Sequence, residues 1–344
     1  MKIIYSEAHR DHGGAMELRG ADWVPTAECP ERMTVILKAL AEAGLHDVQA
    51  PVSHGLEAAL QVHDPDFVGF LERAYPMWEQ RHGPGGAAFA TMFGMRNLAQ
   101  KPRLSSIDAM LSAYTFDVYS PFVAGTWTAI RSAFDVTMTG AHLMQGSERA
   151  VISLCRPPGH HAARDLAGSY CYLNNAAIAA QFYRDRGAAR VAILDFDYHH
   201  GNGTQAIFYD RPDVLFVSLH GRPEEEYPYL LGFADETGSG AGTGFNLNLP
   251  LPPGTRFDTY GPALDHAIQR IRAYAPEILV ISLGVDAFEG DPVGGFCLQT
   301  TDFARIGQAI ARLDMPSHFV MEGGYAVAAL GANVAAVLTG YLGR

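Results

Sequence analysis

Four short runs in this 344-residue chain place acids, histidines and a tyrosine directly after apolar, strand-like segments. Arg156-Pro157-Pro158-Gly159-His160-His161 follows Ala150–Leu154, and Asp195-Phe196-Asp197-Tyr198-His199-His200-Gly201-Asn202-Gly203 runs out of Val191–Phe196. Gly284-Val285-Asp286 follows Ile278–Leu283, and Glu322-Gly323-Gly324-Tyr325 follows His318–Met321. Asp195, Asp197 and His199 alternate along the chain, so on an extended backbone they share a face opposite Phe196 and Tyr198. Adding Asp286 from another strand end gives an Asp-His-Asp set for a divalent metal. Mixed carboxylate and imidazole ligands suit zinc, ferrous iron, cobalt or manganese. Three protein ligands leave room for water, which marks a catalytic site rather than a structural one. Asp-x-Asp alone would describe a magnesium–phosphate site or a turn acid equally well; His199 weighs against pure magnesium.

The Pro-Pro-Gly turn before His160 and His161 fixes the backbone and lets it approach a ligand closely. Histidine is the natural proton carrier near neutral pH. A histidine pair on a loop is often structural, but here three other clusters point the same way. Tyr325, after two glycines at a strand end, is placed to offer its hydroxyl to a developing oxyanion. Together these parts describe metal-assisted hydrolysis. The metal lowers the pKa of bound water from ~15.7 towards ~7 and polarises a carbonyl. One histidine takes the water proton and a histidine returns one to the leaving amine. No serine or cysteine sits in a nucleophile elbow, so a covalent acyl-enzyme is not indicated. Cys155 and Cys171 lie in apolar surroundings and read as packing residues.

A scaffold that gathers strand ends is the doubly wound α/β sheet, where ligands collect at the carboxyl ends of the strands. The sequence predicts it. Strands are expected at Ile3–Tyr5, Ala150–Leu154, Val191–Phe196, Val214–Leu219, Ile278–Leu283 and His318–Met321, most of them apolar on both faces. Helices are expected near Glu31–Ala43, Gly125–Met144, Asn174–Arg186, Phe257–Tyr274, Thr301–Leu313 and Val327–Leu342. The alternation predicts a single α/β domain over residues 1–344, with a mainly parallel central sheet flanked by helices. Residues 75–119 break the pattern and read as a long irregular insertion. Its Phe89, Met92, Phe93 and Met95 are costly to leave in water, which favours an interfacial role.

Hydrophobic residues make up 48% and charged residues 18%, which excludes disorder and coiled coil. No apolar run reaches the roughly 18 residues of a membrane helix, and the polar start does not serve as a signal-peptide core. Four separated cysteines suit reduced thiols, so the expected location is the cytoplasm. The net charge of −12, from 25 basic and 37 acidic side chains, disfavours unspecific nucleic-acid binding and suits a cationic partner.

Over nearly its whole length the sequence resembles the histone deacetylase family of the arginase/deacetylase fold. The segments that carry the resemblance are RPPGHHAARD and GSYCYLNNAAIAA, ILDFDYHHGNGTQAIFY, SLGVDAFEGDPVGGF and MEGGY. ELRGADWVP, PERM, VSLHG and the insertion before GTW look most like the bacterial acetylpolyamine amidohydrolase branch. The resemblance implies a zinc site at Asp197, His199 and Asp286, a catalytic pair at His160 and His161, and Tyr325 at the oxyanion. It implies that Asp195 orients His160, and that a structural potassium ion binds at Asp195, Asp197, His199, Ser218 and Leu219. Tyr170 and Tyr227 fall at the family's aromatic tunnel walls, and Asp108 and Glu17 at acids that can face a substrate ammonium. Asn202 stands where many members carry an aspartate behind the second histidine. A neutral amide cannot raise an imidazole pKa as a carboxylate would, so His161 is expected to be less basic.

What the branch implies is hydrolysis of acetylpolyamines and small acetylated diamines, in polyamine metabolism, by a homodimer whose 75–119 insertion covers the partner's cleft. The alternative enzyme is a broad protein lysine deacetylase. An inactive acetylamine-binding sensor conflicts with the intact metal, histidine and tyrosine set. A manganese ureohydrolase would need a further Asp-rich ligand motif that the sequence lacks.

Overall fold

The structure is a computed structural model and describes residues 1–94 and 104–344. The first half carries β1 (Lys2–Ile4), β2 (Met16–Arg19), β3 (Asp22–Pro25), α1 (Glu31–Glu42), β4 (Val48–Gln49), α2 (Glu57–Val62), α3 (Pro65–His82), α4 (Ile107–Tyr114) and α5 (Thr126–Met144). There follow β5 (Ala150–Ser153), α6 (Asn175–Asp185), β6 (Val191–Asp195), α7 (Asn202–Phe208), β7 (Val214–Gly221) and β8 (Asn246–Leu251). The chain closes with α8 (Phe257–Tyr274), β9 (Ile278–Leu283), α9 (Thr300–Ala311), β10 (Ser317–Met321) and α10 (Val327–Leu342).

Among the described residues eight strands form one sheet in the order β4-β1-β5-β10-β9-β6-β7-β8, each neighbouring pair parallel. β2 and β3 form a separate antiparallel hairpin. The chain passes from β5 to β6 across positions that β9 and β10 fill later. Such a change of winding opens a crevice beyond the carboxyl ends of the strands.

Burial on both faces explains why these strands are apolar without alternation. Along β6, Ile193 packs into the core that holds Phe134 of α5 and Ile178 of α6. Its neighbours Ala192 and Leu194 face the opposite core, with Ile268 of α8, Ile306 of α9 and Leu338 of α10. Each fully buried side chain of this size contributes about 1.5–3 kcal/mol, so the sheet is held from both sides.

The structure differs from the sequence expectation at 75–119. Its first part is the end of α3, and α4 lies within it, capped by the Ser106 hydroxyl, which accepts from the Ala109 N–H. Pro76 inside α3 and the glycines from Gly83 onward conceal that helix from a pattern reading. Phe89 packs against Trp23 with ring centroids 5.3 Å apart, whereas Met92 is exposed. Met95 lies outside the described residues. Among the described residues no helix is long and apolar enough to cross a membrane.

Candidate active site

The four sequence runs emerge from β5, β10, β9 and β6, which are consecutive in the sheet. A buried acid that sequence reasoning assigned no role ties the turn after β5 to the ends of β10 and β9. Glu322, at the end of β10, is fully buried, and its Oε2 accepts from the Gly159 N–H at 2.7 Å and the His160 N–H at 3.1 Å. Its Oε1 accepts from the Ser282 hydroxyl at 3.2 Å. Glycine is required at 159, because a Cβ there would sit 2.6 Å from the Asn175 nitrogen and 2.7 Å from the Leu173 oxygen.

Asp197, His199 and Asp286 converge with ligand atoms all within 4.8 Å of one another. The Tyr198 N–H donates to Asp286 Oδ1 at 2.7 Å, and the Gly323 N–H donates to Asp197 Oδ2 at 2.8 Å. His199 donates from Nε2–H to the Val293 carbonyl at 3.1 Å. That bond leaves Nδ1 as the lone-pair atom, 3.3 Å from Asp197 Oδ1 and 3.0 Å from Asp286 Oδ2. Asp195, Asp197 and Asp286 are all essentially buried, and among the described residues their ion-pair partners are histidines alone. Burial, with Asp197 adding to it, pushes the Asp286 carboxyl up to about 7. Converging buried carboxylates with an imidazole lone pair aimed between them fit a divalent cation.

His160 and His161 lie beside this set with ring centroids 4.1 Å apart. His160 Nδ1 pairs with Asp195 Oδ2 at 2.9 Å, and its Nε2 is 3.7 Å from Asp197 Oδ1. Burial pushes this imidazole down, but Asp195 and Asp197 outweigh it and raise it to about 10. His161 Nδ1 pairs with Asn202 Oδ1 at 2.6 Å, and burial with the neighbouring His160 holds it well below its ordinary value. The bond to Asn202 works the other way, raising His161, but does not offset burial and the charge of His160.

Tyr325 is held through its backbone. Its N–H donates to Asp291 Oδ2 at 2.6 Å, and the Ala326 N–H donates to the same oxygen at 3.0 Å. The Arg32 guanidinium lies 4.9 Å from the Tyr325 ring centroid and donates to the carbonyls of Gly324 and Glu322. Glu28 pairs with both Arg32 and Arg156, all three buried. Burial pushes the Tyr325 phenol well above its ordinary value, so it stays a donor.

A cleft of about 790 Å³ opens over these groups, lined among others by His199, Asn202, Tyr325, Tyr170, Tyr227 and Glu17. Glu17 is 3% exposed, and its carboxylate takes Arg19 at 2.6 Å and the Tyr170 hydroxyl at 2.6 Å. Asp108 is not brought to this chain's cleft. It sits in the first turn of α4, paired with Arg81 at 2.6 Å and His82 at 2.9 Å. For the potassium set, Asp195 on β6 is in register with Ser218 on β7, with Leu219 next to it and Asp197 and His199 just beyond.

The histone deacetylase domain model matches residues 26–341. The chain belongs to the histone deacetylase family. Its members hydrolyse amide bonds, and this chain is a hydrolase of that kind. It is 49% identical over 343 residues to acetylpolyamine amidohydrolase 2 of Pseudomonas aeruginosa, covering 100% of this chain and 99% of that one. It is 46% identical over 344 residues to the acetylpolyamine amidohydrolase of Mycoplana ramosa, covering all of both chains. The crystal structure of an acetylpolyamine aminohydrolase from Burkholderia pseudomallei superposes with a TM-score of 0.93 at 36% identity, over 99% of this chain and 98% of that one.

Proposed function

We propose that the chain is a zinc-dependent amidohydrolase that releases acetate and free amine from acetylpolyamines and small acetylated diamines such as acetylputrescine, acetylcadaverine and acetylspermidine. The observation that carries this reading is the convergence of Asp197, His199 and Asp286 beneath a cleft walled by tyrosines. It is supported by end-to-end similarity to proteins named acetylpolyamine amidohydrolase.

Zinc held by Asp197, His199 and Asp286 would supply an activated water and polarise the acetyl carbonyl. The protein groups do the rest. The Nδ1–H of His160 is donated to Asp195 and that of His161 to Asn202, so Nε2 of each imidazole is the atom left to take or deliver a proton. One takes the proton of the attacking water, and a histidine proton passes to the leaving amine as the C–N bond breaks. Tyr325 donates its hydroxyl hydrogen to the developing oxyanion. Tyr170 and Tyr227 flank the methylene chain, and Glu17, which lines the cleft beside Tyr170, adds negative charge for a distal ammonium. Potassium at Asp195, Asp197, His199, Ser218 and Leu219 would brace the loop that carries the ligands.

The segment 75–119 is assigned to a homodimer contact that covers the partner's cleft and admits only slender substrates. Asp108 belongs to this contact, facing the partner's substrate. The four unpaired cysteines suit a cytoplasmic setting. Acetate release from acetylputrescine by zinc-reloaded protein, with loss on chelation, tests the activity. Replacing residues 91–105, between α3 and α4, with a short linker tests the dimer: the variant is expected to be monomeric and to lose its preference for acetylputrescine. Binding of acetylputrescine without acetate release would contradict the reading. So would a monomeric linker variant with full activity.

A further inference from the structure

Asp117 has no part in the proposed chemistry, yet its carboxylate gathers donors from three segments around the cleft. Oδ2 accepts from the Tyr227 hydroxyl at 2.6 Å and from the Ser169 N–H at 2.9 Å. Oδ1 accepts from the Tyr119 N–H at 2.9 Å and from the Ser169 N–H at 3.1 Å. Among the described residues no lysine or arginine pairs with it.

The segments it joins are the walls themselves. The Tyr227 ring meets His161 edge-on at 5.3 Å, beside the proton-transfer pair. Ser169 and Tyr170 both have positive φ, 46° and 66°, a conformation that costs a residue with a Cβ about 1 kcal/mol or more. The bond from the Ser169 N–H to Asp117 supports that turn, and the turn aims Tyr170 at Tyr325, with ring centroids 5.6 Å apart. The Tyr119 ring stands edge-on to both Tyr170 and Tyr227, at 6.4 Å and 6.5 Å. One acid therefore reaches both walls and the ring that spans them.

We propose that Asp117 is the positioning residue that sets the width of the cleft, holding Tyr227 on one side and the Ser169–Tyr170 turn on the other. Asp117 itself lines the cleft, but both its oxygens are taken by donors of the protein. Rings held in this way favour an unbranched methylene chain. The inference rests on the reading of the cleft as a site for acetylated amines.

The test compares D117A, D117N, Y227F and the D117A/Y227F pair, with thermal melting as a folding control. The substrate is whichever of acetylputrescine, acetylspermidine and an acetyl-lysine peptide the unmodified enzyme turns over fastest. A wrong substrate class is then seen in the unmodified enzyme and does not decide the outcome for Asp117. D117A and Y227F are each expected to raise KM about tenfold, the worth of one hydrogen bond, with kcat within about threefold. The double variant is expected to be no worse than D117A alone, and D117N to recover part of the loss because its amide can still bond the Tyr227 hydroxyl. Additive effects, or an unchanged KM in Y227F, would overturn the proposal. If D117A does not fold, D117N and Y227F carry the comparison, and unchanged KM in both overturns it.

Discussion

The Nδ1–H of His161 donates to the amide oxygen of Asn202 at 2.6 Å, while the neighbouring His160 uses the same atom on the Asp195 carboxylate at 2.9 Å. Adjacent imidazoles thus have partners of different charge. Asn202→Asp gives His161 a carboxylate too, which favours its protonated form. The acid limb of the kcat/KM profile is expected to move to higher pH by about one unit or more. An unmoved limb would mean that Asn202 does not govern the group that titrates.

Glu322, at the end of the strand next to β5, holds the His160 turn through the N–H groups of Gly159 and His160. Glu322→Ala removes the acceptor of both N–H groups, which a glutamine could still serve through its carbonyl oxygen. Loss of one such bond at a buried site costs about 1–3 kcal/mol, and displacement of His160 should lower kcat about tenfold to a hundredfold. Steady-state kinetics beside a melting curve separates the two effects. Unchanged kcat in folded protein would remove Glu322 from the positioning scheme.

Much of the fold was legible because apolar runs report burial directly. The strand at Val191–Phe196 and the helix at Phe257–Tyr274 stand close to where the sequence expects them. β8 was not legible because its inward residues are amides: Asn246 and Asn248 both donate to Gln205 Oε1, at 2.9 and 2.8 Å. A polar residue facing inward erases the pattern that marks a strand. The same limit applies at the site. Asp197, His199 and Asp286 show themselves by residue type and strand-end position. Glu322 and Asp291 bind mainly backbone N–H groups, which nearly every residue carries, so no side-chain partner in the sequence points to them. Asp117 depends on Tyr227, far along the chain, and only the fold brings the two together.

Several buried histidines make acid lability a property of the fold. Burial is the main cause that pushes His9, His12, His63 and His220 down to about 4, and His318 to about 3. His63 shows why: it donates to the Ala163 carbonyl and accepts from the Asn174 N–H, so both ring nitrogens are already used. These folded values lie below the ~6.5 of the unfolded chain, so between them the unfolded chain binds more protons. These five histidines therefore contribute fully above about pH 6.5 and progressively less as pH drops towards 4 and below, while His160, raised to about 10, loses its contribution as pH rises above about 6.5. Urea midpoints measured from about pH 6.5 to about pH 4 should decline. A level profile down to pH 4 would contradict this.

Metal binding should be visible in stability as well as in rate. Asp286→Asn removes one buried negative charge from beside Asp197, so the metal-free variant should melt at or above the metal-free unmodified protein. Zinc at a hundred times its dissociation constant should stabilise the unmodified protein by about 2.7 kcal/mol and the variant by much less. Equal stabilisation of both would place the metal elsewhere.

The most direct measurement is acetate release by zinc-loaded protein from acetylputrescine, acetylcadaverine, acetylspermidine and an acetyl-lysine peptide, side by side. The free acetylamines should be turned over with kcat/KM at least about tenfold above the peptide, a difference of about 1.4 kcal/mol in transition-state binding. Equal or faster turnover of the peptide would contradict the assignment and make the enzyme a protein lysine deacetylase.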